Sequence, residues 1–221
     1  MRLAVVFTKE APVRFVSHLD VHRLFQRAFR RAKLPLAYSQ GFNPHPLMAF
    51  ATALSVGYKS MGEYLDVTLT EDMTPEEFTE RVSPMLPKGV RIKEAFDISY
   101  TRKSLTSAMR SAKYSVRATF DRPVGGEELN CALTELLSGE IVVQKRTKGG
   151  IKPVDIRPMI ISAEVSEYSS NEAEFMICGV LSAEGGLNPD MFLNVLFERL
   201  GVNAMTDVTR LETVIDRDAL A

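Results

Sequence analysis

Hydrophobic and polar positions along this chain follow two periods in turn, a period of two and a period near 3.6, and their alternation predicts short strands and helices in succession. Residues 2–9 (RLAVVFTK) are rich in β-branched and aromatic side chains and read as a strand. Val21, Leu24, Phe25, Ala28 and Phe29 then recur at helical spacing. Ser17 supplies a helix cap with Asp20 three positions on, a short-armed relative of the capping box, so a helix is predicted to about Ala32. Pro35 stops it. Residues 36–38 read as a brief strand lead-in, SQGFNPHP as a turn or loop, and residues 48–57 and 63–70 as two strands. Thr74-Pro75-Glu76-Glu77 joins a capping threonine, a proline at the first helical position and a glutamate placed to bond back, which starts a helix running to about Met85. Residues 90–98 return as a strand.

The order so far is βαββαβ. After a linker at 99–111, with room for a helical turn, it recurs: a strand at 114–120, a helix at 127–137 ended by Gly139, and strands at 141–146, 156–167 and 174–181. Asn188-Pro189-Asp190 opens a helix ending near Leu200-Gly201, and residues 208–215 close as a strand. The second half thus carries one strand more than the first, or splits one at its basic loop. The fold class expected is α+β: two consecutive ferredoxin-like βαββαβ halves with largely antiparallel sheets, at 1–98 and 112–221. The halves share no residue-level repeat, so the repetition is one of architecture.

Composition bounds the class. At 221 residues, 45% hydrophobic and 25% charged, the chain has ordinary globular proportions. A protein of this size buries roughly 70% of the surface its unfolded chain exposes, enough for a stable core without staples. No run approaches the ~18 apolar residues of a membrane span. The amino terminus enters a strand pattern at once without a charged-then-apolar leader, so a cytoplasmic protein without membrane association is expected. Cys131 and Cys178 stand outside any CxxC arrangement, which excludes a four-thiolate zinc or iron–sulfur site made by this chain alone, and both read as core thiols.

The net charge of −1 conceals a segregation. Residues 12–46 and 145–157 together hold eleven cations against Asp20 and Asp155, while the other 173 positions hold sixteen cations against twenty-six acids. In the first segment Arg23, Arg27 and Arg30 or Arg31 fall on one helical stripe with Arg14 and Lys33 nearby, and only Asp20 offers them a partner. Unpaired arginines invite phosphate. The loop that follows mixes Tyr38 and Phe42, which can stack on bases, with Ser39, Gln40 and Asn43, which can read base edges or sugar hydroxyls. In the second segment Lys148 and Lys152 surround two glycines that permit close backbone approach to phosphates, with Lys145, Arg146, Asp155 and Arg157 alongside. It lacks the GxxxxGK[ST] order and the following helix of a P-loop. A solvated helix face, a rigid loop packed by its own aromatics and a lysine-kept hairpin tip are the bland alternatives for these three features.

All three histidines fall in the first segment. His18 and His22 stand at i, i+4, a spacing that can chelate a metal, yet Asp20 lies roughly 200° of helical rotation from His18 and no HExxH-type partner exists. No metal and no cofactor is predicted. An imidazole near neutrality can also take a proton from a ribose hydroxyl and return one to a leaving oxygen, which makes His18 and His45 the candidate acid and base of an enzymatic reading.

Through SHLD (17–20), RAFRRAKLP (27–35), YSQGFNPHP (38–46) and the KGGIKPVDIRP stretch (148–158), the sequence resembles, over essentially its whole length, a radical-SAM-associated bacterial family of unknown function. Members of that family occur free or fused behind a cobalamin-binding radical-SAM enzyme. The resemblance implies association with a modification enzyme, one acting on RNA, and a common surface at Ser17, His18, Asp20, Arg23, Arg30, Gln40, Asn43, His45, Asp155 and Arg157. Where that family's pattern leads us to expect an apolar residue after SHLD, this chain has Val21 and then His22. Paired ferredoxin-like domains with a basic cleft are also similar to the endoribonucleases of CRISPR systems. Three readings follow: an RNA-binding accessory protein serving a radical-SAM-type RNA modification enzyme, a metal-independent RNA or nucleotide processing enzyme, and a module that docks on a radical-SAM subunit.

Overall fold

In the computed structural model, which describes residues 1–147 and 150–220, Arg2–Lys9 form strand β1. Seven of its eight residues are buried, and it pairs antiparallel with strands on both sides. Helix α1 (His18–Arg31) follows, then β2 (Met48–Phe50), β3 (Lys59–Thr68), α2 (Pro75–Val82) and β4 (Ile92–Asp97). The strands lie in the order β2-β3-β1-β4 with every one of these pairings antiparallel. Leu3, Val5 and Phe7 alternate along β1 into a core shared with Val21, Phe25 and Phe29 of α1 and Phe78 and Val82 of α2. Phe7 meets Phe25 edge-on at 4.8 Å between ring centroids, and Phe29 meets Phe78 at 5.6 Å.

Helix ends follow the capping chemistry. The Ser17 hydroxyl accepts the Asp20 amide at 3.2 Å and donates to the Asp20 carboxylate at 2.7 Å, and Thr74 accepts the Glu77 amide. α1 closes where Lys33 takes a left-handed conformation (φ 52°) and the Leu34 amide reaches back to the Phe29 carbonyl. The expected strand at 48–57 is cut to three residues. Beyond Phe50 the chain bends out of the ladder and instead buries Ala51 and Leu54.

The second run of elements is β5 (Met109–Phe120), α3 (Gly126–Ser138), β6 (Val142–Thr147), β7 (Gly150–Asp155), β8 (Ile160–Ser169), β9 (Glu172–Ser182), β10 (Gly185–Gly186), α4 (Pro189–Leu200) and β11 (Ala204–Ile215). Here β8 and β10 pair with β9, which pairs with β5, which neighbours β11. Strict alternation on β9 buries Phe175 and Ile177, and Phe197 of α4 packs on Phe175 and Phe120. Asn188 caps α4, and Gly201 ends it in the left-handed region (φ 61°) where a Cβ is costly. Beyond β5, β8, β9 and β11 this half has three more strands among the described residues, where one was expected: β6 and β7 make a separate two-stranded hairpin, and β10 pairs with β9. Cys131 is exposed on α3, against its reading as a core thiol, because it falls between the buried positions Leu129 and Leu133; Cys178 is half-buried on β9.

The chain divides into two compact units, Met1–Arg110 with Arg210–Ala221, and Ser111–Thr209. It is an α+β protein with a largely antiparallel sheet and four helices among the described residues. No helix among those residues is long and apolar enough to cross a membrane.

Candidate nucleic-acid interface

The apolar stripe of α1 faces the core, so its cationic stripe is left outward: Arg23, Arg27, Arg30 and Arg31 are all exposed. They are not all unpaired. Arg23 donates to Asp20 at 3.1 Å, and Arg31 donates to the Met85 carbonyl, so the expectation of free arginines is corrected for these two. The Ser17 hydroxyl first, and the Arg23 guanidinium second, hold the Asp20 carboxyl below its ordinary range. Arg27 and Arg30 have no ion pair among the described residues. Beside Arg27 an open groove of about 520 Å³ runs between Phe15, Asp20, Leu24, Arg27, Arg31 and Pro87. Phe15 is 70% exposed there, with the Arg14 guanidinium 4.7 Å from its ring centroid. Phe15 escaped the sequence reading because a lone aromatic before a cap has no periodicity to mark it.

The loop at 38–46 is clamped at its base and open at its tip. Tyr38 bridges Pro46, the Ser39 amide donates to the His45 carbonyl at 2.9 Å, and the Ser39 hydroxyl accepts the His45 amide at 3.1 Å and lies 2.9 Å from its Nδ1. Gly41 takes φ 126°, which a side chain would resist. Gln40 and Asn43 are exposed, Tyr38 is 42% exposed, and Phe42 is fully solvent-accessible. The tip is therefore not packed by its own aromatics.

His18 and His22 both lie against the Phe50 ring, at 5.3 and 5.7 Å. Burial, and then the positive fields of His18 and His45, push the His22 imidazole below its ordinary pKa, so the three histidines share one electrostatic neighbourhood. Among the described residues no group of three or more His, Cys, Asp or Glu side chains is placed to hold a metal.

Beneath His18 is a feature the sequence reading missed. Lys9, Glu63 and Arg210 are 3%, 3% and 4% exposed. Arg210 Nη1 donates to both Glu63 oxygens at 2.9 and 3.0 Å, and Lys9 Nζ donates to the Arg14 carbonyl at 3.0 Å. Lys9, Glu63, His18, Phe50 and Thr52 line a small chamber. Burial lowers the Lys9 pKa, and the Glu63 carboxylate opposes that shift. Positions 9, 63 and 210 are too far apart in sequence for any local pattern to join them. The one local signal is a buried lysine closing a strand whose centre, Leu3 to Phe7, is apolar.

The second basic segment belongs to the other unit. Lys145 and Lys152 are direct cross-strand partners on the β6–β7 hairpin, and both are exposed together with Arg146. Like charges placed opposite one another are destabilising unless something anionic meets them. Asp155 and Arg157 serve the backbone: Asp155 Oδ1 accepts the Ile141 and Arg157 amides at 2.9 Å, and Arg157 donates to the Leu137 and Ile160 carbonyls at 2.6 and 3.0 Å. Lys148 lies outside the described residues.

A family model described as an uncharacterized protein conserved in bacteria matches residues 2–189. No curated protein sequence matches the chain. Among solved structures, an H/ACA RNP bound to a substrate RNA containing 2'-deoxyuridine is similar at a TM-score of 0.56 and 11% identity, over 96% of this chain and 47% of that one. A Cbf5-Nop10-Gar1 complex is similar at 0.52 and 10%, over 87% and 45%, and an archaeal box H/ACA sRNP Nop10-Cbf5 complex at 0.52 and 11%, over 94% and 46%. The chain spans about half the length of the solved structures it matches, and at these identities the likeness is one of fold.

Proposed function

The chain belongs to that bacterial family, DUF2344, and we propose that it is an RNA-binding accessory protein of the cytoplasm, built from two ferredoxin-like halves. The strand orders β2-β3-β1-β4 and β8-β9-β5-β11 support the architectural part of this reading, since each pairs the strands of a βαββαβ unit in the same sequence. The observation that carries the functional part is the outward face of α1, where Arg27 and Arg30 stand exposed without ion pairs among the described residues and Arg27 lines the Phe15 groove. Phosphates would take the arginines, and bases would stack on Phe15, Tyr38 and Phe42, with Gln40 and Asn43 reading their edges. The Lys145/Lys152 hairpin would supply a second set of phosphate contacts. Fold likeness to RNA–protein complexes agrees with this reading.

A filter-binding series with single-stranded RNA at rising salt tests it: affinity should fall about linearly in log–log form, by roughly 0.7 per phosphate contact. Salt-insensitive binding, or none at low salt, would reject the proposal. The partner that the sequence resemblance implies is a radical-SAM RNA modification enzyme, and co-purification with such an enzyme but without retention of RNA would favour a protein-docking module instead. His18 on the chamber wall supports a second reading, an RNA or nucleotide processing enzyme with His18 and His45 as acid and base. It requires turnover that His45→Ala abolishes while binding survives.

A further inference from the structure

Both oxygens of Glu63 are engaged by Arg210, so the one carboxylate lining the Lys9 chamber is already claimed by another cation. The Lys9 ammonium has three donors, and among the described residues its one hydrogen-bond acceptor is the Arg14 carbonyl. A lysine buried to this degree is under-compensated, and charges removed from water demand a partner. The chamber wall supplies one further donor from a separate element, the His18 imidazole of α1, while the Thr52 hydroxyl beside it donates to the Ala53 carbonyl at 2.9 Å and accepts from Arg210 Nη1 at 3.4 Å. We infer that this chamber is an oxyanion site, in which Lys9 and His18 hold one oxygen-bearing end of a phosphate monoester.

The chamber's size, its donors and its charge fix the ligand class. The free volume of about 20 Å³ admits a single water-sized group, so one terminal oxygen enters while the remainder of the ligand stays outside. A flat carboxylate is best met by a bidentate guanidinium, and Arg210 already has such a partner in Glu63. Single donors from Lys and His instead suit a tetrahedral group, for which lysine acts as a point charge. Burial lowers the Lys9 pKa, with Glu63 acting against that shift and Arg210 and His18 as the other charged or titratable groups lining or bonding to the site. Phosphate binding should therefore weaken as pH rises and the Lys9 ammonium loses its proton. The source of the phosphate is either the 5' end of an RNA strand, in which case the inference rests on the RNA reading above, or a free small molecule, in which case it does not.

The test uses the full chain. Thermal melts with inorganic phosphate against chloride at equal ionic strength should raise the midpoint of the wild type and leave those of Lys9→Met and His18→Gln unmoved. Two variants are used because either change alone acts on a packed wall. Fluorescence polarisation with one oligoribonucleotide in 5'-phosphorylated and 5'-hydroxyl forms then separates the sources. A strand-end site predicts about tenfold tighter binding of the phosphorylated form, lost in Lys9→Met. Equal binding of the two forms together with a Lys9-dependent melt shift assigns the site to a free phosphate. No phosphate-specific shift in the wild type, or one that both variants retain, overturns the inference. The 5'-hydroxyl strand reports separately on the RNA reading, so failure of one claim is distinguishable from failure of the other.

Discussion

Glu63→Gln removes one negative charge from the buried cluster while keeping the volume of the side chain. In the folded protein the Glu63 carboxylate faces Arg210 at 2.9 and 3.0 Å with both side chains at 5% exposure or less, and it is the charge that opposes the lowered pKa of Lys9. Opposite charges about 4 Å apart attract by roughly 4 kcal/mol at an effective dielectric of 20. Breaking a buried pair by deleting one partner costs about 3–5 kcal/mol, since the other partner is left charged out of water. Folded domains hold only about 5–15 kcal/mol in all, so the variant should be close to unfolding at 37 °C. With a urea slope of about 2 kcal/mol per M, the unfolding midpoint should fall by about 2 M. Lys9→Met should behave oppositely, being neutral or stabilising, because it deletes a cation that burial penalises and leaves the Glu63–Arg210 pair whole. The pH sign follows from the lowered pKa of Lys9. Its penalty is complete below the folded pKa and vanishes as pH rises to the ordinary value of 10.5, so the advantage of Lys9→Met should shrink as pH rises. A loss under about 1 kcal/mol for Glu63→Gln, or an equal loss for Lys9→Met, would refute the buried-charge reasoning.

His22 should make the protein acid-sensitive: its folded pKa lies below 6.5, so stability falls as pH drops through that value. Urea midpoints from pH 8 to 5 should fall more steeply for the wild type than for His22→Gln, and parallel curves would remove His22 as the cause. On the hairpin, Lys145→Glu faces Lys152 with an opposite charge and should gain about 0.5–1 kcal/mol while weakening RNA binding. Tighter RNA binding in that variant would exclude the hairpin from phosphate contact.

How much of this was legible in the sequence depended on whether the signal was local. Ser17, Thr74, Asn188 and Gly201 mark helix ends by their own hydrogen bonds or dihedrals, and the structure has each at the end its chemistry predicted. Residues 51–57 carry an apolar pattern as good as that of a strand, and only packing decides that Ala51 and Leu54 are buried outside the ladder. Much of the basic stretch read as a loop is a hairpin, with pairing from Val142 and Asp155 to Thr147 and Gly150, and Gly150 begins its second strand at φ 106°. At the candidate site, the Ser39–His45 clamp lies within nine residues and could be anticipated as a stiff loop. The Lys9–Glu63–Arg210 cluster is assembled from three strands and could not.

RNA binding on the α1 face requires that Arg27 and Arg30, neither ion-paired among the described residues, meet phosphate. The salt dependence of RNA binding by Arg27→Ala/Arg30→Ala measures this directly, because two lost phosphate contacts should flatten the log–log slope by about 1.4 for a single strand, in addition to weakening binding. A slope equal to that of the wild type would show that neither arginine touches phosphate.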